Sequence, residues 1–203
     1  MKKGIAFVVL SFLSIVLFAG NLTVDKQVNS LPYETLSASE VEGIMQMREE
    51  EKLARDVYLE LYKAWGLPVF YNITQSEQSH MDAVKALIDK YNLEDPIINE
   101  DFENIGVFKN EELQNLFNEL VSLGKKSLSD ALKVGATIED LDIFDLEELL
   151  KSTDNEDVKF IYNNLMKGSE NHMRSFIKNL DKLGETFTPQ FISLERFREI
   201  LKF

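Results

Sequence analysis

The sequence predicts an all-α fold: a four-helix bundle with a long crossover between its second and third helices. Three observations carry this. Proline and glycine are scarce, 4 and 9 in 203 residues, which permits long uninterrupted helices. Four segments repeat apolar residues at alternating three- and four-residue steps, the spacing of a bundle seam. No stretch shows the sustained period-two alternation of a half-buried strand.

The elements follow in chain order. Lys2 and Lys3 precede an apolar run from Ile5 to Ala19, and Ala19-Gly20 then leads into polar chain. Residues 1–20 therefore read as a signal peptide, with export to a periplasmic or extracellular space. The run is short for a membrane span. Leu17 or Phe18 falls where a cleavage site prefers a small residue, so a membrane anchor made by an uncleaved N-terminal segment is the alternative. Removing the two lysines with the segment would take the net charge from -13 to -15.

Residues 21–42 read as a linker, with Asn21, Asn29, Ser30 and Pro32 favouring turns over a helix up to residue 38. Ser39 and Glu42 suit a capping box for the first bundle helix, which Gly66-Leu67-Pro68 stops after Trp65. Asn72 or Thr74 suits the cap of the second helix, which runs to about Tyr91. Residues 93–109 read as irregular. An extra helix spans Asn110 to about Leu123. Ser127 caps the third bundle helix, which reaches Asp142 and extends, with a break, to Leu150. The fourth runs from about Asn155 to Leu183. The bundle thus occupies residues 43–183, and residues 184–203 form a tail with a short helix near Leu194 to Leu201.

The four seams are apolar except at mid-helix. The first reads Ile44, Met47, Glu51, Ala54, Tyr58, Leu61, Trp65. The second reads Ile73, Glu77, His80, Val84, Leu87, Tyr91. The third reads Leu128, Leu132, Gly135, Glu139, Asp142, Leu146, Leu149. The fourth reads Val158, Tyr162, Leu165, Ser169, His172, Phe176. An isolated buried carboxylate costs several kcal/mol unless it is paired or binds a metal. Carboxylates on three seams and imidazoles on two, at corresponding depth, suit a divalent metal pair. The only two histidines both stand on seams in matching surroundings: Ser-Glu-Gln-Ser-His80-Met and Ser-Glu-Asn-His172-Met, each with Asp-Lys at nine and ten residues on. That pattern implies two helix-pair halves about a pseudo-twofold, each giving one Glu and one His.

Composition removes several classes. A net charge of -13 disfavours nucleic acid, whose phosphates need clustered Lys and Arg. With no cysteine there is no disulfide, iron–sulfur cluster, thiolate zinc site or cysteine nucleophile.

Glu51-Lys-Leu-Ala54-Arg55-Asp-Val-Tyr58 resembles the first-helix signature of rubrerythrin-type ferritin-like proteins, and Glu77-Gln-Ser-His80 matches their Glu-x-x-His motif. Gly135-Ala-Thr-Ile-Glu139-Asp-Leu-Asp142-Ile and Gly168-Ser-Glu-Asn-His172-Met more closely resemble the DUF2202 family of that superfamily. The resemblance implies a ferritin-like bundle with a di-iron carboxylate site. Glu51, Glu77, His80, Glu139 and His172 fall on ligand positions. The second Glu-x-x-His would put Glu at 169, where this chain has Ser169; Asp142 is the substitute carboxylate. Tyr58, two turns from Glu51 on the same face, is the catalytic candidate, as hydrogen-bond partner of a ligand or as electron donor; the alternative is a core tyrosine. Glu49 and Glu50 read as solvated face.

The function implied is an oxidoreductase of peroxidase or ferroxidase type. It would act on dioxygen, peroxide or Fe(II), with an external electron donor because no cysteine relay exists. Two iron ions are the expected cofactor, with manganese or zinc as substitutes, and a homodimer is an allowed assembly. The alternatives are a non-catalytic metal-binding protein and a metal-free helical interaction module.

Overall fold

The computed structural model describes residues 24–97 and 104–202; the expected signal peptide lies outside the described residues. Every regular element among them is helical. Residues 24–30 form α1. The rest are α2 (Ala38–Trp65), α3 (Pro68–Lys90), α4 (Glu111–Gly124), α5 (Leu128–Ser152), α6 (Glu156–Lys182) and α7 (Leu194–Leu201).

Two helical hairpins, α2–α3 and α5–α6, make the bundle. α2 packs on α3 and α5, and α6 packs on α5 and α3, so the four close a ring. Neighbours run antiparallel. Gly43 and Tyr58 of α2 face Leu149 and Glu139 of α5, while Phe70 and Tyr91 on the α3 side face Phe176 and Asp157 of α6. The order is up, down, down, up. The α3–α5 crossover contains α4, which lies over the α2–α5 seam. The core between the helices is filled by side chains such as Met47, Leu61, Leu87, Leu132, Leu165 and Phe176, all fully buried.

The helix ends show which local signals won. Ser37, not Ser39, caps α2: Glu40 N donates to Ser37 Oγ at 3.2 Å, and Ser37 N donates to Glu40 Oε2 at 2.8 Å. A tertiary contact selects this register. The buried Glu40 carboxylate also accepts from the Thr153 hydroxyl and, at 3.4 Å, from Asn155 N, tying the start of α2 to the α5–α6 turn. α3 begins at Pro68 rather than after Asn72 or Thr74. Gly66 takes the left-handed conformation (φ 63°) that ends α2, and proline suits the first turn of the next helix. Thr74 instead donates back to Phe70 O. Trp65 is not a seam residue: it is 37% exposed, and its indole N–H donates to Gly124 O at 2.9 Å. α5 passes through Asp142 without a break, because that carboxylate bonds Ser169 on α6 instead of competing for local backbone.

The segment expected as turns contains α1 because tertiary contacts hold it. Val28 is fully buried. Lys90 Nζ donates to the carbonyls of Val28, Leu31 and Pro32 at 2.9, 3.1 and 3.0 Å and pairs with Asp157 at 2.6 Å.

The crossover is fastened by charges buried on α2. Arg48 clamps Asp95 (3.2 and 2.9 Å) and donates to Met81 O. Asp56 accepts from Lys52 (2.5 Å), Arg55 (2.9 Å) and Gly106 N (2.9 Å). Removing one member of a buried ionic cluster leaves the others poorly compensated, so Asp56→Ala is expected to cost about 3–5 kcal/mol in urea unfolding.

Candidate metal centre

At mid-depth of the ring, α2 supplies Glu51, α3 supplies Glu77 and His80, α5 supplies Glu139 and Asp142, and α6 supplies His172. The three glutamates are each 2% exposed and His172 is 6% exposed. The structure brings all six sequence-predicted ligand residues, and Tyr58, to this one level.

Glu77 is the middle of the array. Its Oε2 lies 2.8 Å from His80 Nδ1, and its Oε1 lies 3.0 Å from His172 Nδ1. Glu51 Oε2 flanks His80 Nδ1 at 3.1 Å, and Glu139 Oε2 flanks His172 Nδ1 at 3.4 Å. The two imidazoles are 5.4 Å apart at 27°. Each half of the bundle thus offers one outer glutamate and one histidine, with Glu77 between them. The pseudo-twofold breaks at residue 169. Ser169, standing where a second central carboxylate would fall, donates to Asp142, so an α5 carboxylate takes up that side.

Glu51 Oε1 is buried without a hydrogen-bond partner, and Glu77 Oε1 and His172 Nδ1 face each other at 3.0 Å as an ion pair rather than as a hydrogen bond. Buried polar atoms in folded proteins are ordinarily satisfied. One donor atom each from Glu77, His80 and His172 lies within 4.8 Å of the others. Carboxylate oxygens and imidazole nitrogens converging at this spacing are a donor set that a divalent cation would satisfy in place of the imidazole protons.

The charges of this layer act on one another. Burial pushes the Glu51 and Glu139 carboxyls up. Burial, with the charges of Glu51 and Glu139, lifts the Asp142 carboxyl well above its ordinary value. Burial acts on Glu77 in the same direction, but the His172 and His80 charges outweigh it and hold that carboxyl far below the usual range. Burial would depress both imidazoles. The facing carboxylates reverse this: Glu51 and Glu77 hold His80 well above 6.5, and Glu77 and Glu139 hold His172 at about 10.

Tyr58 donates to Glu139 Oε1 at 2.6 Å, and burial followed by the Glu139 charge keeps its hydroxyl protonated. It therefore positions a candidate ligand. Three contributors escape the sequence reading. Ser76 Oγ is 2.9 Å from His172 Nε2, fixing the ring so that Nδ1 faces the centre. Gly168 lies against His80, where a Cβ would come within 2.3 Å of Nε2. Ser76 precedes His80 by four residues and Gly168 precedes His172 by four, so one more turn of the two-half repeat contained both. Glu50 is not solvated face. Its Oε2 is shielded and unpartnered, and burial, with Asp145 and Asp142 nearby, pushes its carboxyl to about 8. Its adjacency to Glu51 was the available signal.

The His172 shift fixes a pH dependence. The imidazolium is favoured by folding, so its stabilisation is complete below about pH 6.5 and is lost as pH rises through about 10. The metal-free protein is expected to melt at a lower temperature at pH 9.5 than at pH 6.5 in thermal denaturation, and a bound divalent metal would diminish the difference.

Comparison with known proteins agrees with this layout at the level of fold and family. A family profile described as "Uncharacterized protein domain (DUF2202)" matches residues 40–203. "Uncharacterized protein MJ0754" of Methanocaldococcus jannaschii is 58% identical over 174 residues, covering 86% of this chain and 92% of that protein. The crystal structure of the hypothetical protein MJ0754 superposes with a TM-score of 0.82 at 57% identity, covering 85% of this chain and 97% of that one. On the profile match and this identity, the chain belongs to the DUF2202 family.

Proposed function

We propose that this protein is an exported, ferritin-like di-metal carboxylate protein, with iron as its native metal, that reduces dioxygen or peroxide or oxidises Fe(II) between its four helices. The observation that carries the reading is the convergence of Glu51, Glu77, Glu139, His80 and His172 in one layer, where Glu77 lies 2.8 Å from one imidazole and 3.0 Å from the other and Glu51 Oε1 stays buried without a hydrogen bond. His80 bonds Glu51 and Tyr58 bonds Glu139 within this layer, yet Glu51 Oε1 is left over, and a divalent cation would take the place of the imidazole protons between these carboxylates.

The up-down-down-up order with one long crossover is the arrangement of ferritin-like bundles, in which facing helices supply carboxylates and Glu-x-x-His pairs. Glu77, between both imidazoles, would hold metal together with either histidine. Glu51 with His80 suits one metal position, and Glu139 with His172 the other. Asp142, held by Ser169, supplies the carboxylate that the sequence lacks at 169. Tyr58 and Ser76 orient Glu139 and His172. Iron bound there would supply the electrons that dioxygen or peroxide takes up. The chain has no cysteine for an internal relay, so reducing equivalents come from an external donor or from Fe(II) itself. Export rests on Lys2, Lys3 and the apolar run from Ile5 to Ala19.

Iron counting tests the centre. The chain, loaded anaerobically with Fe(II) and freed of loose metal, is expected to retain about two irons, and Glu77→Ala and His172→Ala are expected to lose them. Retention of no iron, manganese or zinc would overturn the proposal. Gly168→Ala forces the His80 ring to shift and is expected to weaken metal retention by about 10- to 100-fold with an unchanged helical circular-dichroism signal.

A further inference from the structure

A cavity of about 120 Å³ lies among α2, α4, α5 and the C-terminal tail. On one side it is bounded by Glu77, Glu139 and Asp142, members of the centre described above. Elsewhere its wall is mostly hydrocarbon, with Ala54 from α2, Leu116 and Leu120 from α4, Ile138 from α5 and Phe191 from the tail, and the Glu50 carboxyl and Thr137 add further polar groups. The tail's place in this wall is set by Asp140. That fully buried carboxylate accepts the backbone N–H groups of Gln190, Phe191 and Ile192 at 2.5, 3.1 and 3.1 Å.

We propose that this cavity is the ligand chamber of the centre, and that it takes a small uncharged molecule with an apolar body of about six heavy atoms or fewer. The volume sets the size: a dry apolar cavity of roughly 150 Å³ accommodates benzene. The lining sets the charge. In the metal-free chain an anion meets the carboxyl groups of Glu50, Glu77, Glu139 and Asp142, and a hydrated cation would lose its water against leucine and phenylalanine. A neutral molecule meets neither penalty. Its apolar body rests on Leu116, Leu120 and Phe191, and its other end faces the carboxylates. The Fe(II) that loads the centre, on this view, arrives by another path. The inference rests on the proposed metal centre for what the ligand meets, and on the cavity alone for what is admitted.

The test separates the two. Benzene is titrated into the metal-free full-length chain and followed by saturation-transfer NMR. One saturable site is expected, with a dissociation constant in the millimolar range or tighter. Leu120→Trp and Ala54→Phe, filling the cavity from two different helices, are each expected to weaken binding by about tenfold or more while Leu120→Trp keeps the parental iron content. If one variant loses its helical signal, the other serves. No saturable binding to the parent chain, or binding that survives the filling, overturns the proposal. In the iron-loaded chain, bound benzene is expected to shift the ferrous ligand-field bands. Benzene binding with iron retained and no shift refutes the link between chamber and centre. Benzene binding by a chain that retains no iron supports the cavity's selectivity and removes the metal centre instead.

Discussion

Everything else in this bundle is arranged around one acidic layer inside it: Glu51, Glu77, Glu139 and Asp142, with the two imidazoles paired among them. Carboxylates at that depth repel and are poorly solvated, so they persist only if the surrounding helices are held rigidly enough to prevent their escape to water. The bundle meets that demand at both ends of the layer. Toward one end, Tyr58 and Phe70 pack against Phe176. Toward the other, Glu40 joins α2 to the α5–α6 turn, and Lys90 joins α3 to Asp157 of α6.

The same helix separates two uses of buried charge. On one part of α2, Asp56 is saturated by Lys52, Arg55 and the Gly106 N–H, and it anchors the crossover. On another, Glu51 keeps one oxygen buried and unbonded. Both residues are sealed from solvent, so burial does not distinguish them; satisfaction does. An acid whose bonds are complete is structural, and an acid held short of completion is available to a further partner.

The seam pattern made the four long helices and the six convergent side chains legible, because each depends on periodicity along one helix, while the extra helix in the crossover was bounded by Asn110 and Gly124. What was missed depends on contacts between helices. The register of the α2 cap follows from Glu40 meeting Thr153, and α1 follows from Val28 and Lys90; neither has a local signature. Glu50 was read as solvated because a run of three glutamates at 49–51 looks like a surface face, yet the packing of α4 and α5 shields part of its carboxylate. Ser76 and Gly168 act across the pseudo-twofold, each on the histidine of the other half, so a reading confined to one helix at a time could not assign them.

The Asp140 anchor makes the enclosure of the interior depend on a segment outside the bundle. That carboxylate accepts the backbone N–H groups of residues 190–192, and Phe191, carried on the same segment, forms part of the wall beside the acidic layer. Without the tail, a fully buried carboxylate would lack three donors and the wall would lack its phenylalanine, so the C-terminal segment belongs to the enclosure as much as the four helices do.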